Sequence, residues 1–218
     1  MSQALALQGH SVVLHVRSDK FSSDLLCRIA EEYGIHPSFK VKAWKIGNFK
    51  GSCYIYGFLS GFYAWFSLSS CAYCRSLPAS IVTSLLGIQT IIELHQPLTS
   101  TQPAWFISLL RCVWNFSRKV RFIAITEALK NILESSYPEC RMLIKVAPDA
   151  ADEHPLDVRP FIFLQDDRKI NVGYCGHLYS GKGVELILKL APLCPWANFH
   201  VVGGTDRDLA KWKSFSGS

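Results

Sequence analysis

The chain has 218 residues, 49% apolar and 18% charged, which supports a sizeable core and excludes a disordered chain. Its formal charge of +6 is scattered, with no Lys/Arg block and no recognised nucleic-acid motif, so composition argues against a nucleic-acid partner. No secretory signal is visible, and the eight cysteines lie mostly in apolar runs, the pattern of buried free thiols in a reducing compartment.

In chain order the pattern alternates between helix and strand. Residues 1–7 read as the end of a helix, and residues 11–16 (SVVLHV) as a strand. Residues 22–34 start on Ser and Asp, keep helical spacing and stop at Gly34. Residues 38–44 alternate like a strand. Residues 51–74 carry no charge and are long enough to cross a bilayer. Their five Ser and three Gly, and the alternation on either side, favour a buried helix over 54–66 and a buried strand at 70–74. Cys71 and Cys74 form C-x-x-C; a zinc site would need a second ligand pair, which is not obvious, and a redox motif stays open. A helix at 77–87 has Pro near its start and Gly at its end. Then follow a strand at 89–94, a helix at 103–117, a strand at 121–126 leading into a helix, and a strand at 141–148. Such alternation implies right-handed βαβ units and a parallel sheet covered on both faces. Residues 148–161 (PDAADEHPLDVRPF) have the composition of a linker. Beyond them the pattern restarts, with strands at 170–176 and 198–204 and helices at 182–193 and from 205.

Four places carry candidate chemistry. Residues 176–183 (GHLYSGKG) sit between a strand and a helix and read G-x-x-x-x-G-K, with Gly183 where a P-loop needs Ser or Thr. Gly176, Gly181 and Gly183 let the backbone approach a phosphate, and Lys182 adds a charge at the helix start. Without the Mg²⁺-binding hydroxyl, a metal-free grip on a diphosphate is favoured over nucleotide hydrolysis; a plain glycine-rich βα turn is the alternative. Glu93 and His95 lie at a strand's C-terminal end, where open α/β sheets place ligands, and alternate positions let both point the same way. Arg75 follows another strand and has Glu93 as an available carboxylate partner. Thr126 stands at a strand-to-helix junction with Glu127 in the first turn, which reads first as an N-cap.

Together these pieces resemble the retaining GT-B glycosyltransferases of family 4. The carriers are ALALQGHSVVLHV, the R-S…G…E-x-H stretch from Arg75 to His95, FIAITEALKNIL, VAPDAAD, and the run from Val172 to Gly204. The resemblance implies two Rossmann-like domains facing across a cleft: residues 1–160 on the acceptor side, and residues 161–218 as the start of a nucleotide-sugar-binding domain. It also implies a nucleotide-sugar donor and a glycan, lipid-linked or small-molecule acceptor. Transfer would retain configuration without metal or other cofactor. In that reading Lys182, with Gly176, His177, Gly181 and Gly183, binds the donor diphosphate. His95 contacts donor sugar or phosphate, Glu93 supports it, and Arg75, Thr126 and Glu127 assist. A cytoplasmic location at the inner membrane face, with peripheral membrane contact, follows from the same resemblance.

The departures are His177 for the family's usual Arg, Thr126 for Ser, and Asp149 and Ala150 for Asn and Gly. The family's first strand would precede Met1, and its E-x7-E motif would follow Ser218. The expectation is a transferase truncated at both ends and inactive in this form. The alternatives are a non-catalytic, partner-binding remnant and a small nucleotide-binding protein that uses the loop at 176–183.

Overall fold

The computed structural model describes residues 1–18, 22–100, 102–117, 119–150 and 169–213. The chain divides into two compact units, Met1–Asp152 and Glu153–Ser218. The linker-like passage from residue 151 and the domain boundary expected at 160/161 lie outside the described residues.

The first unit is α/β. Its elements are α1 (Ser2–Leu7), β1 (Val13–Arg17), α2 (Ser22–Tyr33), β2 (Lys40–Trp44), α3 (Ser52–Phe66), β3 (Cys71–Cys74), α4 (Leu77–Leu85), β4 (Gln89–Leu94), α5 (Ala104–Phe116), β5 (Val120–Ala124), α6 (Glu127–Ser136) and β6 (Ile144–Val146). The strand expected at 141–148 is only three residues long, because Pro138 opens a 3-10 turn that runs through Leu143. Side chains set the helix starts. Ser76 accepts from the Ala79 N–H at 3.5 Å at the head of α4, and Thr126 accepts from the Leu129 N–H at 3.1 Å at the head of α6.

A four-stranded parallel sheet, in the order β3-β4-β5-β6, is flanked by helices; β1 and β2 form a separate parallel pair. The parallel sheet expected from the alternation is present, and β1 and β2 stand apart from it. A doubly wound order would place a further strand between β1 and β3, and none of the described residues fills that place. The consequence is visible in burial. β4 and β5 alternate with fully buried residues, whereas β1 and β2 contain none. The pair is held instead by α3: Tyr56 donates to the His15 carbonyl at 2.8 Å, and Arg17 Nη1 donates to Ser52 Oγ at 2.7 Å.

The core sits between the four-stranded sheet and helices α4, α5 and α6. Ile92, Leu110, Val120 and Ala124 are fully enclosed, and Trp114 stands edge-on to Phe122 with ring centroids 4.6 Å apart. One polar link crosses it. Buried Thr90 donates from Oγ1 to Thr83 Oγ1 at 3.0 Å, joining β4 to α4.

Two further expectations are corrected. The aromatic helix α3 buries its small residues Ser52, Gly57, Ser60 and Gly61, keeps its three tyrosines half-buried and exposes Ile55, Phe58, Phe62, Trp65 and Phe66. Of the eight cysteines, only Cys74 and Cys140 are buried; all are free, and burial raises the Cys74 thiol to about 11. No helix among the described residues is long and apolar enough to cross a membrane.

The second unit contains β7 (Ile170–Cys175), α7 (Val184–Leu190), β8 (Ala197–Val202) and α8 (Asp206–Lys213). β7 and β8 pair in parallel with Ile170 opposite Ala197. Leu178, Val184 and Ala197 are its buried apolar residues among those described. Thr205 and Asp208 cap α8 reciprocally: the Asp208 N–H donates to Thr205 Oγ1 at 3.3 Å and the Thr205 N–H to Asp208 Oδ2 at 3.0 Å.

Candidate functional site

The C-terminal ends of β3 and β4 bring four charged or titratable groups together. The parallel register sets Cys74 opposite Ile92, so Arg75, one residue beyond β3, falls beside Glu93. Arg75 Nε lies 3.9 Å from Glu93 Oε1. Glu93 Oε1 also accepts from His95 Nε2. A carboxylate can only accept here, so Nε2 carries a proton, while Nδ1, the other ring nitrogen, faces Arg75 and Asp149. Arg75 Nη2 reaches that Nδ1 at 3.3 Å, and Asp149 Oδ2 lies 3.9 Å from it. The partnership expected between Arg75 and Glu93 is therefore present. The Arg75 side chain is not buried, however: it is 67% exposed, against 11% for Glu93.

Sequence reasoning missed Tyr73. It stands on β3 two residues before Arg75 and therefore on the same face. Its hydroxyl hydrogen-bonds Glu93, and burial first, then that bond, pushes the phenol far above its ordinary value. Burial alone would raise Glu93, but the hydrogen bonds from Tyr73 and His95 and the charge of Arg75 outweigh it, so its carboxyl titrates below the usual range. The recoverable signal was the pair of alternating motifs, Y-x-R on β3 and E-x-H on β4.

The lowered Glu93 value predicts a pH effect. A depressed folded-state value means its stabilisation is present above the unfolded value of about 4.3 and is lost as pH falls through the folded one. Denaturant unfolding at pH 6 should show wild type more stable than Glu93→Gln, with the gap closing below about pH 4. A gap that does not change with pH would refute the assignment.

Carboxylate and imidazole atoms of Glu93, His95 and Asp149 lie within 4.8 Å of one another, a donor set that could serve a cation. The Arg75 guanidinium already stands against His95 Nδ1 and Glu93, where it supplies the compensating charge. A cation there would compete with the Arg75 guanidinium for Glu93 and His95.

The other expected residues lie elsewhere. Thr126 spends its hydroxyl on the α6 cap, and Glu127, 70% exposed, pairs with Lys130 at 3.7 Å. In the second unit, the loop at 176–183 joins β7 to α7. Gly181 and Gly183 have φ of +92° and +89°, and Gly183 is the α7 N-cap. That left-handed backbone explains why Gly stands where a P-loop has Ser or Thr. Lys182 Nζ lies 5.3 Å from the centroid of the Tyr179 ring, and His177 faces the same ring at 5.7 Å. Tyr174 donates to the His177 carbonyl at 2.8 Å. Gly176 packs backbone to backbone against Gly203, whose Cβ, if present, would stand 2.1 Å from the Gly176 carbonyl oxygen. The Trp212 indole and Lys211 ammonium of α8 fasten Leu178 O and Ser180 Oγ at 2.5 and 3.0 Å.

Comparison with protein-family models and with curated protein sequences returns no match.

Proposed function

We propose that this chain is built for retaining glycosyl transfer from a nucleotide-sugar, in the GT-B manner. The observation that carries the reading is the Arg75–Glu93–His95 cluster at the C-terminal ends of parallel strands, where such sheets hold their ligands. Glu93 orients the His95 imidazole through Nε2, and Tyr73 holds Glu93 ionised. Arg75, which pairs with Glu93 and is still 67% exposed, would turn its open side to a donor phosphate. His95 faces the donor's sugar or phosphate. The loop at 176–183 takes the diphosphate through its backbone N–H groups and Lys182, with His177 and the glycines shaping it. Because α7 has only seven residues, its dipole adds less than the lysine charge does. The acceptor is a glycan, lipid-linked or small molecule, and the reaction belongs on the cytoplasmic side.

The test is titration calorimetry of the 218-residue chain against a panel of uridine and guanosine diphosphate sugars, with and without chelator. We expect metal-independent binding to at least one donor. Lys182→Ala should weaken it about tenfold, the loss of one charged phosphate contact. Absence of binding across the panel would refute the reading, and Mg²⁺-dependent affinity for ATP or GTP would instead make the loop that of a nucleotide-binding protein.

A further inference from the structure

α3 turns its small residues inward and its rings outward. It packs on α4 through Gly57 and Gly61 and leaves Ile55, Phe58, Leu59, Phe62 and Trp65 exposed at helical spacing along one side. The Phe58 and Phe62 rings stack at 6.1 Å and Phe62 meets Trp65 at 5.4 Å, so the stripe is continuous. At its other end, Tyr54 carries it across to exposed Trp105 of α5, 5.9 Å away.

Area and charge together say what covers the stripe. Those five side chains and Trp105 are about half exposed on average, and at about 200 Å² each they leave about 600 Å² of apolar surface. That matches the largest patch usual on a soluble monomer, and it reaches one partner's share of a stable dimer interface, about 600–1,000 Å². α3 has no charged residue, and Arg111, the one charged residue of α5, pairs with Glu139 at 2.5 Å. Lys119 and Arg121 share a cavity with Trp65 and donate to the Gly87 and Val120 carbonyls at 2.9 and 2.7 Å. The stripe itself therefore offers no charge by which an anionic surface or an oppositely charged partner would recognise it. A second copy needs none, because across a two-fold axis the same apolar stripe meets itself.

We propose that the α3 face is a homodimer interface, with α3 lying against α3 of a second copy and the two-fold axis near Phe58 and Phe62. The stripe runs from Ile55 to Trp65, so an axis at its middle buries all of it on both copies. The rings supply the aromatic, charge-free centre that such interfaces favour. This pairing stands on exposure, area and charge, independently of what the Arg75–Glu93–His95 cluster binds.

The test is sedimentation velocity of the full chain between about 1 and 100 µM. A monomer–dimer equilibrium is expected, not weakened by about 0.5 M salt because no ion pair crosses the interface. Phe58→Ser/Phe62→Ser should raise the dimer Kd about tenfold or more, with unchanged far-UV circular dichroism since both rings are exposed. Phe62→Lys, which keeps a good helix former and sets two like charges near the axis, should be monomeric throughout. The urea midpoint of wild type should rise with protein concentration, and that of Phe62→Lys should not. A wild type that stays monomeric at about 100 µM, or dimers unaffected by either variant, would overturn the proposal. So would association that grows without stopping at a dimer, the mark of a head-to-tail contact. Monomers that instead bind phosphatidylcholine vesicles through the same rings would give the face to a lipid surface and overturn it as well.

Discussion

Phe122→Ala is expected to destabilise the first unit by about 3–5 kcal/mol, the range for truncating a buried aromatic side chain. Phe122 is 2% exposed on the central strand β5, between β4 and β6. Its ring receives the edge of Trp114 from α5 at 4.6 Å, and Trp114 also stands edge-on to Tyr137 at 6.4 Å. Truncation removes the ring's burial and leaves a void that neither strand neighbour can close, because both are held by the parallel ladder. The measurement is urea unfolding followed by circular dichroism and tryptophan fluorescence. Phe66→Ala, at a ring 76% exposed at the end of α3, is the control and should change stability by about 0.5 kcal/mol or less. A loss below about 1 kcal/mol for Phe122→Ala would mean that this cluster is not the core of the unit.

Much of this arrangement is legible in the sequence because its causes are local. Ser76 and Thr126 announce their helices, since a hydroxyl before a helix can satisfy an orphan N–H whatever the rest of the fold does. The two-residue spacing of Glu93 and His95 points to their mutual contact for the same reason, and the lone charge of Arg75 calls for a carboxylate, although its meeting with Glu93 rests on strand pairing. What is not legible depends on pairing across the chain. Tyr73 joins the cluster only because β3 and β4 pair with Tyr73 opposite Ile91, a register no local pattern encodes. The division of the strands into β1-β2 and β3-β4-β5-β6 is likewise a matter of long-range pairing. α3 is the instructive case. An uncharged, uniformly apolar helix has no polar side to mark its outer face, so hydrophobic periodicity gives no direction. Its buried side is set by residue size instead, at Gly57, Ser60 and Gly61, and the phenylalanines and Trp65 follow outward. The exposed cysteines share that cause: Cys53 lies on α3 in an apolar run and is nevertheless exposed.

If size fixes the orientation of α3, then Gly57→Ala should be the more damaging of the two glycine-to-alanine changes within that helix. A Cβ at Gly57 would stand 2.5 Å from Pro78 Cβ, 2.7 Å from the Ala79 nitrogen and 2.8 Å from the Pro78 carbonyl carbon. Two of those three are backbone atoms of the first turn of α4, which Ser76 caps and which cannot rotate away as a side-chain end can. The helices must separate, at about 3 kcal/mol, the upper part of the range for overpacking. Alanine's better helix propensity returns about 1 kcal/mol, so the net loss is about 2 kcal/mol. Gly173→Ala in β7 tests the logic from the other side, since a methyl there meets nothing within 4 Å and should be tolerated. Thermal unfolding of both variants decides the matter. If Gly57→Ala were as stable as wild type, close approach of α3 to α4 could not be what turns the aromatic side outward. If it is destabilised as expected, the separated helices should also weaken the hold of α3 on β1, because Tyr56 and Ser52, on the same helix, make the hydrogen bonds to His15 and Arg17. The β1-β2 pair would then exchange its amide protons faster than β4 and β5, a difference measurable residue by residue.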